Sequence, residues 1–430
     1  MILSPEQLRA AMDIDRGKNV FLSGNAGTGK STVVGHVLEN LDERRGVAVV
    51  ATTGIAAINL RDQFAAKYPK SRPLRVTTIY SWAGIGIGPA QGEHVDAFVG
   101  RMADQAQRTP HMWRNLRNTH MVIIDEVSML PGKVLDAIDR IARLARNDTR
   151  PFGGMQVVAV GDFLQLPPVS KNGVYDWAFK SAAWRELKFI PHILKTVHRQ
   201  SDPEFVSLLN AVRTGRIGKE HEALLRSRVP TFPRQDILRL FTHNAQVDKW
   251  NNMMLDGIES PEVEHKMTTR GDPYAVEKLR KNLIVQDVVK LKKGARVMVL
   301  ANIRGDDGEL ALVNGSLATV VDPSTPTIIA DGTTEIVALE RYGWVEDMDP
   351  MINTATVTQV PLRLAWASTI HKSQGLSLDS ALIDVRAARE PGQAYVALSR
   401  VKKISGMYLK DMFSIIYTSQ DAAKFMAAPY

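Results

Sequence analysis

The sequence predicts an α/β protein made of two cores of buried parallel strands, with a small β-rich domain inserted in the second. Three observations predict it. The chain has 430 residues, too many for one ordinary core when a domain averages about 150 residues. Short runs that are continuously apolar, rather than alternating, recur between helical stretches in both halves, as strands buried on both faces require. Between residues 305 and 360 that pattern gives way to brief β-rich runs separated by turn residues.

In chain order, Ser4 caps a first helix, Pro5 occupies its first turn, Gln7 completes a Ser-x-x-Gln capping box, and Gly17 stops it. Residues 19–23 read as the first strand, followed by a glycine-rich loop and a helix over 31–41. Runs at 47–51, 121–124 and 155–160 supply further strands, so the first core is assigned to 1–190. A second series has strands at 237–241, 296–300, 381–385 and 407–409, with a helix around 393–398. The second core is therefore assigned to 191–304 and 361–430, and the insertion to 305–360, with strands at 316–321, 335–339 and 354–360.

Composition narrows the function. With no cysteine, disulfides, thiolate catalysis and thiolate metal sites are excluded, so any metal must rest on carboxylates, hydroxyls or imidazoles. No apolar run approaches the roughly 18 residues of a membrane span, and the opening MILSPEQLRA lacks the order of a secretory signal. A soluble, unexported protein with no membrane partner is expected. The net charge of +8 permits nucleic-acid binding, and its distribution sharpens the point. Residues 305–349 carry ten carboxylates against one basic side chain, Arg341, a block of −9 that leaves +17 elsewhere. The acidic block is thus a poor phosphate surface, and the attractive field lies outside it.

Gly24, Asn25, Ala26, Gly27, Thr28, Gly29, Lys30 and Ser31 match the phosphate loop, between a strand and a helix as that motif requires. The glycines let backbone N–H groups converge on phosphates at a helix N-terminus, Lys30 adds a mobile charge, and Ser31 offers a hydroxyl to Mg²⁺. A plain glycine-rich turn is the competing reading, and the flanking elements decide against it. Asp125 and Glu126 end an apolar strand. Following a phosphate loop in one core, such a pair suits holding Mg²⁺ through water and activating the attacking water, respectively. Gln165, in GDFLQLPP at 161–168, carries an amide able to accept from water and donate to a γ-phosphate. A proline-stopped turn competes with that role. Arg199 in HRQ at 198–200 and Arg400 in ALSR at 397–400 are the residue type that stabilises charge on transferred phosphoryl oxygens. Spacing alone does not separate them from ordinary surface arginines. Residues 369–375, TIHKSQG, mix donors, a cation and a glycine in a way that suits phosphates or a plain capped loop equally. Tyr80 and Trp82, among Thr77, Thr78 and Ser81, are the favoured base-stacking candidates, whereas most of the seven tryptophans belong to cores.

Taken in order, these residues resemble the petite integration frequency (Pif) family of DNA helicases, superfamily one subgroup B, with RecD-like helicases as more distant relatives. The resemblance runs almost end to end. It rests on LSPEQ at 3–7, residues 24–32, TGIAA at 53–57, IDEVSML at 124–130, FGG at 152–154, GDFLQLPP at 161–168, VHRQ at 197–200, LVNG at 312–315, residues 367–375 and YVALSR at 395–400. It implies two RecA-like P-loop NTPase cores, ATP and Mg²⁺ in the cleft, and 5′-to-3′ translocation on single-stranded DNA with unwinding of tailed duplexes. G-quadruplexes and RNA–DNA hybrids are further substrates it implies, and a monomer is its basic form. Under it Gln7 reads adenine, residues 24–32 including Thr32 bind the phosphates, Arg199 and Arg400 reach the γ-phosphate from the second domain, and Gln374 and Gly375 lie near the nucleotide. Thr53, Gly54, Thr78, Tyr80, Asn244, His371 and Lys372 match positions beside the DNA. Two departures stand out. Residues 61–76 form a longer basic segment than usual, with Arg61, Lys67, Lys70, Arg72 and Arg75, and Tyr80 replaces a common histidine. That segment is an added DNA contact, part of a strand-separating wedge or a solvated surface loop, and 84–118 is assigned as a wedge region. The resemblance places the protein with DNA, in the cytoplasm of a bacterial or viral host cell, or in a nucleus or mitochondrion if the chain is a trimmed eukaryotic form. An ATP-gated DNA clamp without strand separation and a small-molecule kinase are the rival readings.

Overall fold

The computed structural model describes residues 3–42, 45–67, 76–90, 92–109, 112–170, 172–200, 202–231, 237–283, 285–304, 310–346, 355–374, 376–413 and 416–428. The chain divides into two compact units. The first comprises Met1–Arg226, Ala388–Ile404 and Phe413–Tyr430, and the second Ser227–Ala387 and Ser405–Met412.

In the first unit, six strands, β1 (Val20–Gly24), β2 (Val47–Ala51), β3 (Val76–Thr78), β4 (Met121–Asp125), β5 (Gln156–Val160) and β6 (Ile190–Leu194), form one sheet in the order β3-β2-β4-β5-β1-β6. All its pairings are parallel. Both faces are covered, which is why β1, β4 and β5 are mostly apolar and, but for Asp125, buried. Helix α1 (Pro5–Asp15) starts as its sequence requires: the Ser4 hydroxyl accepts from the Gln7 N–H at 3.4 Å, and the Ser4 N–H donates to Gln7 Oε1 at 2.9 Å.

The FGG motif has a structural origin. Phe152, Gly153 and Gly154 all have positive φ, and a Cβ on Gly153 would lie 2.6 Å from the Ala142 carbonyl. Phe152 tolerates this because its ring is fully buried and its N–H donates to Asp139 at 2.6 Å. The turn aims the chain into β5, at whose end GDFLQLPP begins.

The second unit holds a parallel sheet in the order Ala367–Thr369, Arg239–Phe241, Ala381–Ile383, Met407–Leu409. It also holds antiparallel sheets sharing one core with Val289, Val297, Ile328, Trp344 and Val357. The two α/β sheets with a β-rich insertion make the fold that of two RecA-like cores.

Three expectations are corrected. The run at 296–300 is not a strand of the second parallel sheet: Arg296–Val299 pairs antiparallel with Leu317–Asp322 and Leu362–Leu364. A doubly buried apolar run reads alike in either kind of sheet, so its composition carried no direction. The antiparallel part also begins before residue 305, since Val263–Lys266 and Thr268–Arg270 already pair within it. Finally, 191–226, 388–404 and 413–430 fold with the first unit rather than the second. Their side chains, described next, pack on the phosphate loop and its sheet. In the basic segment 61–76, residues 68–75 lie outside the described residues, as do parts of the acidic block and Gly375.

Candidate active site

The phosphate loop joins β1 to helix α2 (Lys30–Asn40). Two glycines are forced there. Gly27 has φ +79° and a Cβ on it would collide with the Arg199 Cβ, while Gly29 has φ +82° and a Cβ would sit 2.5 Å from Gln7 Nε2. Buried Gln7 donates from that nitrogen to the Thr28 carbonyl at 3.2 Å, so the first helix is tied to the loop. Lys30 Nζ donates to the carbonyls of Gly24 at 2.9 Å and Asn25 at 3.1 Å.

More distant segments also grip the loop. The Ala26 N–H donates to the Tyr395 hydroxyl at 2.8 Å, Asn25 Nδ2 donates to Asn210 Oδ1 at 2.6 Å, and the His198 N–H donates to the Gly27 carbonyl at 2.8 Å. Each bond satisfies a loop group that would otherwise be stranded in the interior.

Strand β4 ends in Asp125, and Glu126 follows it. Burial, then the neighbouring Glu126 charge, raises the Asp125 pKa. Glu126 itself has φ +52° and ψ +42°, a left-handed conformation that costs a side chain of this kind about 1 kcal/mol or more. Strain at the residue expected to activate water fits a position set by function. Burial lowers the Lys30 pKa, and Asp162, Glu126 and Asp125 oppose it, so the lysine faces three carboxylates.

Asp162 is fully buried, and Arg213 on helix Pro203–Thr214 grips it with two bonds, Nε to Oδ2 at 2.9 Å and Nη2 to Oδ1 at 2.8 Å. Burial alone would raise this carboxyl, but Arg213 outweighs it and holds the pKa below the ordinary value. Gln165 is buried in the same loop, and its carbonyl lies where a Cβ on Gly392 would fall.

Arg199 and Arg400 both group with the first unit and its phosphate loop, although the helix leading to Arg400 lies in the chain between two strands of the second unit's parallel sheet. Arg400 is buried at 3% exposure. Its Nε donates to the Val396 carbonyl and its Nη2 to the Ser399 hydroxyl, both at 2.8 Å. Burial, then the like charge of Arg199, lowers its pKa to about 10, while Glu126 acts the other way. Arg199 is depressed by burial as well, and its guanidinium has no hydrogen bond or ion pair among the described residues. Two desolvated guanidinium groups with few partners, close to Glu126 and the loop, form a site for an anion.

Ser31 and Asp125 are the two polar residues of a small cavity beside α2 and β4 whose other walls, Val34, Val49, Leu60, Phe64, Ile123 and Val160, are apolar; their oxygens are of the kind Mg²⁺ takes. Of the DNA candidates, Thr53 and Thr78 cap helices, their hydroxyls accepting from Ala56 and Ser81 at 3.2 Å, and Gly54 begins the first of those helices. Tyr80 is half-buried. Trp82 is not a stacking platform: it is 2% exposed and its Nε1 donates to the Thr119 hydroxyl at 3.1 Å. Asn244, His371, Lys372 and Gln374 belong to the second unit, where Asn244 is exposed at a helix start.

Sequence reasoning gave no role to Asp162, Arg213, Tyr395 or Asn210. Asp162 and Tyr395 lay inside the quoted motifs and were legible as polar groups in apolar runs. Arg213 and Asn210 sit on an ordinary amphipathic helix without a distinguishing signal.

A family model described as PIF1-like helicase matches residues 3–223. A protein of Bdellovibrio bacteriovorus named ATP-dependent DNA helicase Pif1 is 35% identical over 410 residues, covering 95% of this chain and 87% of that one. The crystal structure of a Pif1 helicase from Candida albicans superposes with TM-score 0.77 at 30% identity, covering 99% of both chains. A Bacteroides Pif1 helicase in complex with ADP-AlF3 and ssDNA gives TM-score 0.67 at 29% identity, covering 99% of this chain and 97% of that one.

Proposed function

This chain belongs to the PIF1-like helicase family, and from that premise we propose how its own residues run an ATP-dependent DNA helicase. One observation carries the reading: Lys30, Glu126, Arg199 and Arg400 surround one phosphate loop within the first unit.

On nucleotide binding, Lys30 exchanges its two loop carbonyls for phosphate oxygens, and Gln7, already fixed against the loop, reads the adenine. Glu126 orients the attacking water and takes its proton. Arg199 and Arg400 stabilise the charge that develops on the transferred phosphoryl oxygens, and Gln165 reports the γ-phosphate through its amide. Ser31 and Asp125 would hold Mg²⁺, which supplies charge neutralisation across the phosphates when bound.

DNA is the polynucleotide partner. Thr53, Gly54, Thr78 and Tyr80 in the first unit, and Asn244, His371 and Lys372 in the second, are the strand contacts we assign. Movement runs 5′ to 3′ on single-stranded DNA, by a monomer, with G-quadruplexes and RNA–DNA hybrids among the structures opened. No helix among the described residues is long and apolar enough to cross a membrane.

An unwinding assay on 5′-tailed and 3′-tailed duplexes, with and without ATP, tests the reading. Separation of the 5′-tailed duplex alone, with ATP alone, is the expected result. DNA-stimulated ATP hydrolysis without separation would make the protein a clamp, and hydrolysis indifferent to DNA would make it a phosphotransferase.

A further inference from the structure

Outside the nucleotide site, the second unit contains a buried cation without a counter-ion. Arg363 lies in strand Leu362–Leu364, between apolar neighbours, and is 8% exposed. Its Nη2 donates to the Ser368 hydroxyl at 3.0 Å and touches the Met298 sulfur at 3.2 Å. Its Nε has no partner, and no carboxylate pairs with the group among the described residues. A buried charge left this way is unfavourable unless something negative joins it.

Arg363 lines a cavity of about 130 Å³ together with Lys372, Asn251, Asn252 and Gln286. Lys372 is itself disturbed, its pKa lowered by burial and then by Arg363. Among the described residues Asp248 is the carboxylate on the cavity wall, and it offsets Lys372. The side chain of Asn251 is spent on Ala367, accepting its N–H at 2.8 Å and donating to its carbonyl at 3.1 Å, so the wall is held firm. Asn252 and Gln286 are exposed at the rim.

We infer that this cavity is a phosphate pocket, and that Arg363 is its floor, receiving one phosphodiester group of the DNA strand beside Lys372. The inference rests on the proposed strand contact at Lys372. Two cations and rim amides around a space of this size suit a tetrahedral oxyanion, and the second cation is the one the sequence left unremarked.

The test is the salt dependence of single-stranded DNA binding by the full chain, followed by fluorescence anisotropy with a labelled oligothymidine. Each phosphate contact contributes about 0.7 to the slope of log affinity against log salt. Arg363→Gln is expected to lower that slope by about 0.7 and the affinity by about tenfold at low salt, and Arg363→Lys to restore most of both. Should Arg363→Gln fold poorly, Asn252→Asp, at an exposed rim position, places a carboxylate at the mouth and is expected to weaken binding comparably. Unchanged slope and affinity in Arg363→Gln, or in Asn252→Asp where that variant has to stand in, overturn the pocket while leaving the DNA reading intact. Wild-type protein that binds no single-stranded DNA removes the strand contact and the pocket with it.

Discussion

Replacing Arg213 by methionine isolates the buried ion pair beneath the phosphate loop. Arg213 is 12% and Asp162 0% exposed in their side chains, so the substitution leaves a carboxylate in the interior with no cation pairing it directly. Breaking such a pair from one side costs about 3–5 kcal/mol. For a unit of this size each kcal/mol is about 2–4 °C in melting temperature, so a loss of about 6–20 °C is expected for the first unit. Tryptophan fluorescence reports it, because Trp177 and Trp184 are both buried in that unit. pH supplies the sign. In the wild type the Asp162 pKa lies below 3.8, so its stabilisation is present above that pH and disappears as pH falls through the folded value. Without Arg213, burial dominates and the folded pKa rises above 3.8, so the carboxylate destabilises the variant at neutral pH and is relieved once protonated. The gap between the two proteins therefore narrows toward pH 3, and Asp162→Asn with Arg213→Met together recovers part of the loss. A deficit under about 1 kcal/mol at pH 7, or one that widens in acid, would refute the reasoning.

Three other outcomes are expected. Glu126→Gln and Glu126→Gly should both lower ATP turnover by about a hundredfold or more, but only glycine relieves the left-handed backbone; the glycine variant melting below the glutamine one would rule the strain out. Tyr395→Phe leaves the Ala26 N–H unpaired and should cost about 1–3 kcal/mol at pH 7. Because burial raises the Tyr395 pKa from 10.0 to about 12, its neutral form favours the fold below pH 10 and that advantage, about 3 kcal/mol, is lost as pH climbs to 12; denaturant titrations should find the phenylalanine variant falling less steeply across that window. Phe425→Ala removes a ring stacked on Phe179 at 4.3 Å and touching Phe163 and Trp184, and calorimetry should show a loss of about 2 kcal/mol.

The phosphate loop, the paired carboxylates and four of the six strands of the first sheet were legible because each is local: a short apolar run, a turn, a cap. Ser4 and Gln7 could even be assigned their mutual hydrogen bonds from spacing alone. Direction and partnership were not local. Residues 296–300 have the composition of a parallel strand and an antiparallel neighbour, and Ala367–Thr369, three residues long, offered too little pattern to count as a strand. Trp82 shares a neighbourhood with phosphate-binding types, yet its indole is consumed by Thr119. Arg213 earned no notice because nothing near it in sequence needed a cation; its carboxylate is 51 residues away.

The division of the first unit into three stretches of chain governs the order in which the molecule can be made. Residues 1–226 leave the ribosome first, but Tyr395 and Arg400 come with 388–404, and Phe425 with 413–430. Until then the nascent first sheet has an aromatic nest around Phe21, Phe163 and Trp184 missing one ring, and a phosphate loop missing the hydroxyl that Ala26 requires. The sites that handle nucleotide are thus completed only after residues 227–387 have been made, and a chain lacking 388–430 keeps every loop glycine while losing groups that hold the loop in place.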